Sequence, residues 1–256
     1  MKNINVFLYF YKNKNIENII NTLNEKSSKE NNIFFDIYDQ DNENKFKQYI
    51  DKNNMRYNHI FWDKNFGISY YRNKSLDNQF DYFLEIKNVN FIKNGWDKEL
   101  IKLCDNNFVC TGKNKPDMNL IFTNKVNSNL LKNMNYLKYY GQDIMLLYLL
   151  YKKNISIKKI DDNFVYFNND TILYSDYIPY SLYHNYNETL FLIKSDKLFV
   201  EYCKNIDIDI NEYKIKHGQV NDLNYFAYRY NIDNHESEKF KKTIKTLKME
   251  KQNETT

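Results

Sequence analysis

The run from Asp81 to Ile86 limits the fold more than any other stretch of this chain. It is apolar and aromatic, and it stops at a polar elbow, Lys87-Asn88-Val89-Asn90. Gly95-Trp96-Asp97 and the start of a helix follow. Upstream, Gly67 and Arg72 open a helix that leads into the run. A continuous apolar strand of this kind is covered on both faces, as in a parallel sheet flanked by helices. Open α/β sheets place their ligand chemistry at the carboxyl ends of such strands. The elbow after Ile86 is therefore the first place to look for a site.

The preceding chain fits the same plan. Ile4 to Tyr11 reads as a buried strand, and Ile16, Ile19, Ile20 and Leu23 follow at helical spacing. Ile33 to Tyr38 is a second strand, ending in Asp39-Gln40-Asp41, with a short helix over Asn44 to Lys52. His59 to Trp62 is predicted as a third strand. Past the elbow, strands are expected at Asn107 to Thr111, Leu120 to Thr123, Ile155 to Ile160 and Phe164 to Phe167. Helices are expected at Val126 to Met134 and Ile144 to Tyr151. Strands alternating with helices over short connections predict an α/β domain with a mostly parallel sheet. Residues 1–169 form that domain, 170–235 an aromatic-rich extension packed on it, and 236–256 a charged terminal helix and tail.

Composition removes several classes. Aromatics make up 17% of the 256 residues, with 24 Tyr and 18 Phe, so a core is easily filled. The bias to Asn, Lys and Ile is what an AT-rich genome produces, which points to an AT-rich microbe or a virus. The 37 basic and 33 acidic residues are well mixed, and no sector forms a nucleic-acid footprint. Five glycines and two prolines argue against long flexible linkers. The three cysteines, an odd number without metal-type spacing, suggest a reducing compartment. No signal peptide or membrane span is legible, so the expected location is cytoplasmic: the host cytoplasm, or the virion if viral.

Nucleophile elbows, phosphate-binding loops and zinc-binding helices are missing from the sequence. The four histidines are scattered. Attention moves to strand ends. Tyr11-Lys12-Asn13 sits where strand one meets its helix and either binds a nucleotide, with Tyr11 on a base, or is a plain turn. Asp39 and Asp41 end strand two; they accept hydrogen bonds from a base or ribose, or are a solvated turn. Arg72 at a helix start can cradle a phosphate. Asp143 opens a helix after Gly141-Gln142; it positions an acceptor hydroxyl, or is a carboxylate favoured by the helix dipole.

Together these residues resemble the polypeptide α-N-acetylglucosaminyltransferases that modify hydroxyproline, which are GT-A fold enzymes. Their first strand ends in Tyr-Arg-Asp, similar to Tyr11-Lys12-Asn13. Their Gly-Pro-Cys-x-Ala-Arg matches Gly67 and Arg72 at the same spacing. Their Asp-Tyr-Tyr-Leu-Gln-Ile-Asp-Ser-His, followed by Gly-Trp-Asp, is similar to Asp81 through Val89 and then Gly95-Trp96-Asp97. A Gly-Glu-Glu helix is similar to Gly141-Gln142-Asp143, and a closing strand to Asn163 to Phe167. The resemblance covers roughly residues 4 to 168.

It implies a GT-A-like fold, a nucleotide-diphosphate sugar (a UDP-sugar) as donor, and a protein or glycan acceptor. Tyr11, Lys12 and Asp39 would hold the nucleotide, Arg72, Lys87 and Asn88 the diphosphate, and Asp143 the acceptor. The departures concern the metal. The family's Asp-Ser-His binds a divalent cation, and Lys87, Asn88 and Val89 stand in those places. Phe167 occupies the position of another metal-binding histidine. Lysine, valine and phenylalanine offer a hard cation no ligand at neutral pH. With this degenerate DxD motif the expectation is a site without metal. Either Lys87 replaces the cation in a metal-independent hexosyltransferase, or the chain is an inactive GT-A-like protein with a binding, scaffold or viral structural role. Nucleic acid and membrane are not expected partners. The extension could bind acceptor or join copies of the chain.

Overall fold

The computed structural model describes residues 1–10, 16–39, 55–59, 68–87, 89–111, 117–132, 142–167 and 180–213. β1 (Asn3–Phe10), α1 (Ile16–Lys26) and β2 (Asn32–Asp39) open the chain in the expected order. β3 is Met55–His59, so the third strand ends where the sequence reading starts it. His59-Ile60-Phe61-Trp62 is the more apolar run, but β3 is an edge strand beside β2, and an edge does not require continuous hydrophobicity. α2 (Ile68–Leu76) then leads into β4 (Tyr82–Ile86).

Val89 and Asn90, read as the end of the polar elbow, open a strand, β5 (Val89–Ile92). α3 (Trp96–Cys104), β6 (Phe108–Thr111), β7 (Asp117–Asn124), α4 (Lys125–Lys132) and α5 (Gln142–Lys152) follow. β8 (Ile157–Ile160), β9 (Val165–Phe167), α6 (Tyr180–Lys194) and α7 (Lys197–Asn205) complete the described elements, with a 3-10 turn at Ile210–Glu212.

The main sheet has seven strands in the order β3-β2-β1-β4-β7-β6-β8. β3, β2, β1 and β4 are parallel; β7 runs antiparallel to β4 and β6, and β8 is parallel to β6. β5 and β9 form a separate antiparallel ribbon. Strand alternation splits the core in two. Ile4, Val6, Leu8, Leu84 and Ile86 meet α1, α3 and the ribbon on one face. Phe7 and Phe83 meet the face covered by α2, α4, α5, α6 and α7.

Trp96 packs as its position suggests: it is fully buried, and its indole N–H donates to the Leu23 carbonyl at 2.9 Å. Asp97, in the first turn of α3, does not cap that helix. Gly95 is the N-cap, at φ 69°, with no side-chain cap bond. The Asp97 carboxylate instead accepts from Ser28 N–H (2.7 Å), Ser28 O–H (2.6 Å) and Asn31 (2.8 Å), tying α3 to the turn after α1.

α6 and α7 bury Leu190, Ile193, Phe199 and Cys203 against Tyr148 and Tyr151 of α5. A nearly buried ion pair fastens the two parts. Lys152 Nζ lies 3.1 Å from Asp196, with only 4% and 12% of the two side chains exposed. Tyr148 O–H donates to Asp196 at 3.1 Å, and Asp196 caps α7 by accepting from the Phe199 N–H. Burial pushes the Asp196 carboxyl up, but hydrogen bonds from Lys152, Phe199 and Tyr148 outweigh it and hold the group below the usual carboxylate range. A lowered folded pKa means stability that is present above the unfolded value of about 4 and lost as pH falls through the folded value. Asp196→Asn is expected to cost about 2 kcal/mol at neutral pH. In urea titrations at several pH values, its difference from wild type should hold above about pH 5 and shrink below about pH 4.

The three cysteines are buried and form no disulfide, and burial pushes the Cys104 and Cys203 thiols up to about 12. They act as small core hydrophobes, not as nucleophiles.

Candidate functional site at the carboxyl edge

Four parallel strands finish on one edge of the sheet. The register pairs Phe10 with Asp39, Asp39 with His59, and Phe7 with Glu85. Continuing the last pairing sets Lys87 level with Tyr9. The ladder with β7 also extends past Ile86, because Lys87 N–H donates to the Asn119 carbonyl at 2.8 Å. Asp39 and Lys87 therefore share the edge, on β2 and just beyond β4. Asp39 is buried and Lys87 half-buried. Among the described residues Lys87 forms no ion pair.

The start of α5 reaches this edge through a polar cluster. Arg72 on α2 is wholly buried. Its Nε donates to Glu85 Oε2 at 2.5 Å and its Nη2 to Glu85 Oε1 at 2.8 Å. Nη2 also donates to Gln142 Oε1 at 2.8 Å, and Gln142 Nε2 donates to Ser69 Oγ at 2.7 Å. Nη1 is buried and finds no hydrogen-bond partner among the described residues. The first turns of α2 and α5 are thus pinned together beside the end of β4. Asp143, partly exposed in the first turn of α5, is one residue from the pin.

The expected donor-site residues divide. Lys87 and Asp39 lie on the edge, with Asp143 next to the residue that pins α5. Arg72, expected on the diphosphate, directs two of its three guanidinium nitrogens into the protein. Tyr11, Lys12 and Asn88 lie outside the described residues, as do Gly67, Gly141, Asp41, the helix expected at Asn44 to Lys52 and the terminal helix and tail. Sequence reading missed Glu85, Gln142 and Ser69. The signal was present in Glu85: one carboxylate inside an apolar strand demands a partner, and Arg72 is a cation thirteen residues away.

The ribbon brings the other two replaced positions together. Val89 pairs with Phe167 across β5 and β9; Val89 is buried in the core on the α1 face, and Phe167, partly buried, packs against that core. Hydrocarbon side chains do not fit a divalent cation, which needs oxygen or nitrogen donors. Among the described residues no three His, Cys, Asp or Glu side chains gather as a metal site. Within the same limits, no helix is long and apolar enough to cross a membrane.

No family model matches the chain, and no curated protein matches its sequence. Its fold does match solved structures. Crystal structures of Staphylococcus aureus TarS are similar at 14% identity. One, of TarS residues 1–349 in complex with UDP-GlcNAc, gives a TM-score of 0.58 over 90% of this chain and 78% of that one. A second, in complex with UDP, gives 0.51 over 83% and 68%. A third, of TarS, gives 0.53 over 83% of this chain but spans only 41% of the TarS chain. The likeness shows the fold, an α/β GT-A-like arrangement with a mostly parallel sheet flanked by helices.

Proposed function

We propose that the chain binds a nucleotide-diphosphate sugar, a UDP-sugar, at the carboxyl edge and transfers its hexose or N-acetylhexosamine. The observation that carries this is the placement of Lys87 on the edge where Asp39 also ends, beside the pinned start of α5. The TarS complexes with UDP-GlcNAc and UDP support the choice of ligand by fold. The Asp81 to Asp97 wording supports it by sequence and makes the hydroxyproline-modifying family the nearest reading.

The roles follow from charge and position. Tyr11, Lys12 and Asp39 hold the nucleotide. Lys87, with Lys12 and Asn88, holds the diphosphate. Bond breaking leaves negative charge on the departing nucleoside diphosphate, and a fixed ammonium group stabilises it most where it is greatest, in the transition state. The valine and phenylalanine at positions where the resembled family keeps metal ligands support a metal-independent site. Asp143 orients the acceptor hydroxyl, on a protein or a glycan. Residues 170–235 form the extension that binds the acceptor or a second copy of the chain.

Calorimetric titration with UDP and UDP-GlcNAc, with manganese and with EDTA, tests this reading. Equal binding in both buffers is the expected result. No heat with any nucleotide would leave the inherited architecture with a binding or scaffold role.

A further inference from the structure

Glu85 creates a hazard for the site. Side chains two apart on a strand share a face, with their Cα atoms about 6.6 Å apart. Phe83 lies in the core on the α2 face, while Leu84 and Ile86 lie in the core on the other. The alternation puts Glu85 on the α2 face, where Arg72 meets it. Lys87 keeps the ladder geometry through its bond to Asn119, so it projects on the same side. A lysine side chain easily spans that gap. An ammonium group drawn down onto a buried carboxylate would be unavailable to a phosphate.

We infer that Arg72 is the positioning residue that keeps Lys87 available. Its fork occupies both Glu85 oxygens, satisfying the carboxylate with planar, bidentate geometry that an ammonium group cannot reproduce. Its remaining bond, to Gln142, holds the start of α5 and with it Asp143 at the same edge. Arg72 acts from inside the protein without touching the diphosphate. The part of this inference that concerns phosphate rests on the nucleotide-sugar reading; the control of Lys87 by Glu85 does not.

The test compares wild type, Arg72→Gln, Glu85→Gln and the double variant by two readouts. The first is the rate at which an amine-acylating reagent labels Lys87, followed by mass spectrometry. In Arg72→Gln the freed carboxylate captures Lys87 and labelling slows about tenfold, the change that one unit of lysine pKa produces. In the double variant, with no carboxylate to capture it, labelling returns to the wild-type rate. The second readout is calorimetric affinity for UDP in EDTA. It weakens about tenfold in Arg72→Gln, equivalent to about 1.4 kcal/mol, and returns to within about threefold of wild type in the double variant. If Arg72→Gln does not fold, Arg72→Lys replaces it. That variant keeps the charge but frees one carboxylate oxygen, so a smaller slowing is expected, again cancelled by Glu85→Gln. Identical labelling in all folded variants would overturn the inference. So would an affinity loss that persists in the double variant, because Arg72 would then bind the phosphate itself. Wild-type protein that binds no UDP would defeat the nucleotide-sugar reading, and labelling alone would then decide whether Glu85 controls Lys87.

Discussion

Lys87→Ala is expected to weaken UDP binding in EDTA by about 10- to 100-fold, the cost of one charge-assisted contact of about 1.5–3 kcal/mol. That weakening should appear with the diphosphate and be small for uridine, which has no phosphate to lose. Lys87 is half-buried and makes no ion pair with the described residues, so the urea midpoint should barely move. Lys87→Arg should retain most of the affinity, since it keeps the charge. Lys87→Asp should not regain binding on adding manganese. One carboxylate does not rebuild an ion's coordination shell where Val89 and Phe167 supply no ligand. Paired calorimetry and urea unfolding check all three variants.

Arg72→Ala is expected to add a large loss of stability to any loss of affinity. It takes the bidentate partner from a buried Glu85, which a captured Lys87 replaces only in part, a change that costs about 3 kcal/mol. It also removes the bond to Gln142 that ties α2 to α5. Arg72→Lys should recover only part, because an ammonium group cannot make both bonds to the carboxylate. Urea unfolding followed by tryptophan fluorescence measures the loss, since Trp96 is fully buried. A surface phosphate ligand would behave otherwise, losing affinity at nearly constant stability. The two substitutions therefore separate a residue that meets the ligand from one that holds the protein behind it.

The regular half of the fold was legible because its signals are local. Ile16, Ile19, Ile20 and Leu23 mark one helix face, and each is buried. The apolar run of β4 marks a strand covered on both sides, and it lies fourth of seven across the sheet. The third strand slipped because the sequence offers a more hydrophobic run right after an edge strand that needs none. β5 was hidden for a different reason. Its partner β9 lies more than seventy residues away, and no short-range pattern reports such a pairing.

The site was half legible. Lys87 stands out as a cation at the end of an apolar strand, and Asp39 as a carboxylate at the end of another. Arg72 looked like a phosphate ligand because it follows a glycine at a helix start. Only the three-dimensional pairing shows what its fork meets. In the family wording the strand carries Gln and the later helix Glu. Here Glu85 is on the strand and Gln142 on the helix, so carboxylate and amide have changed places around Arg72. Reading those two departures together would have found the cluster.

A crystal structure of the protein grown with UDP in metal-free buffer tests the central claim most directly. The account predicts uracil over the ends of β1 and β2 and the pyrophosphate within hydrogen-bonding distance of Lys87 Nζ, with no ion between them. A divalent cation on the phosphates, or UDP bound away from this edge, would contradict it.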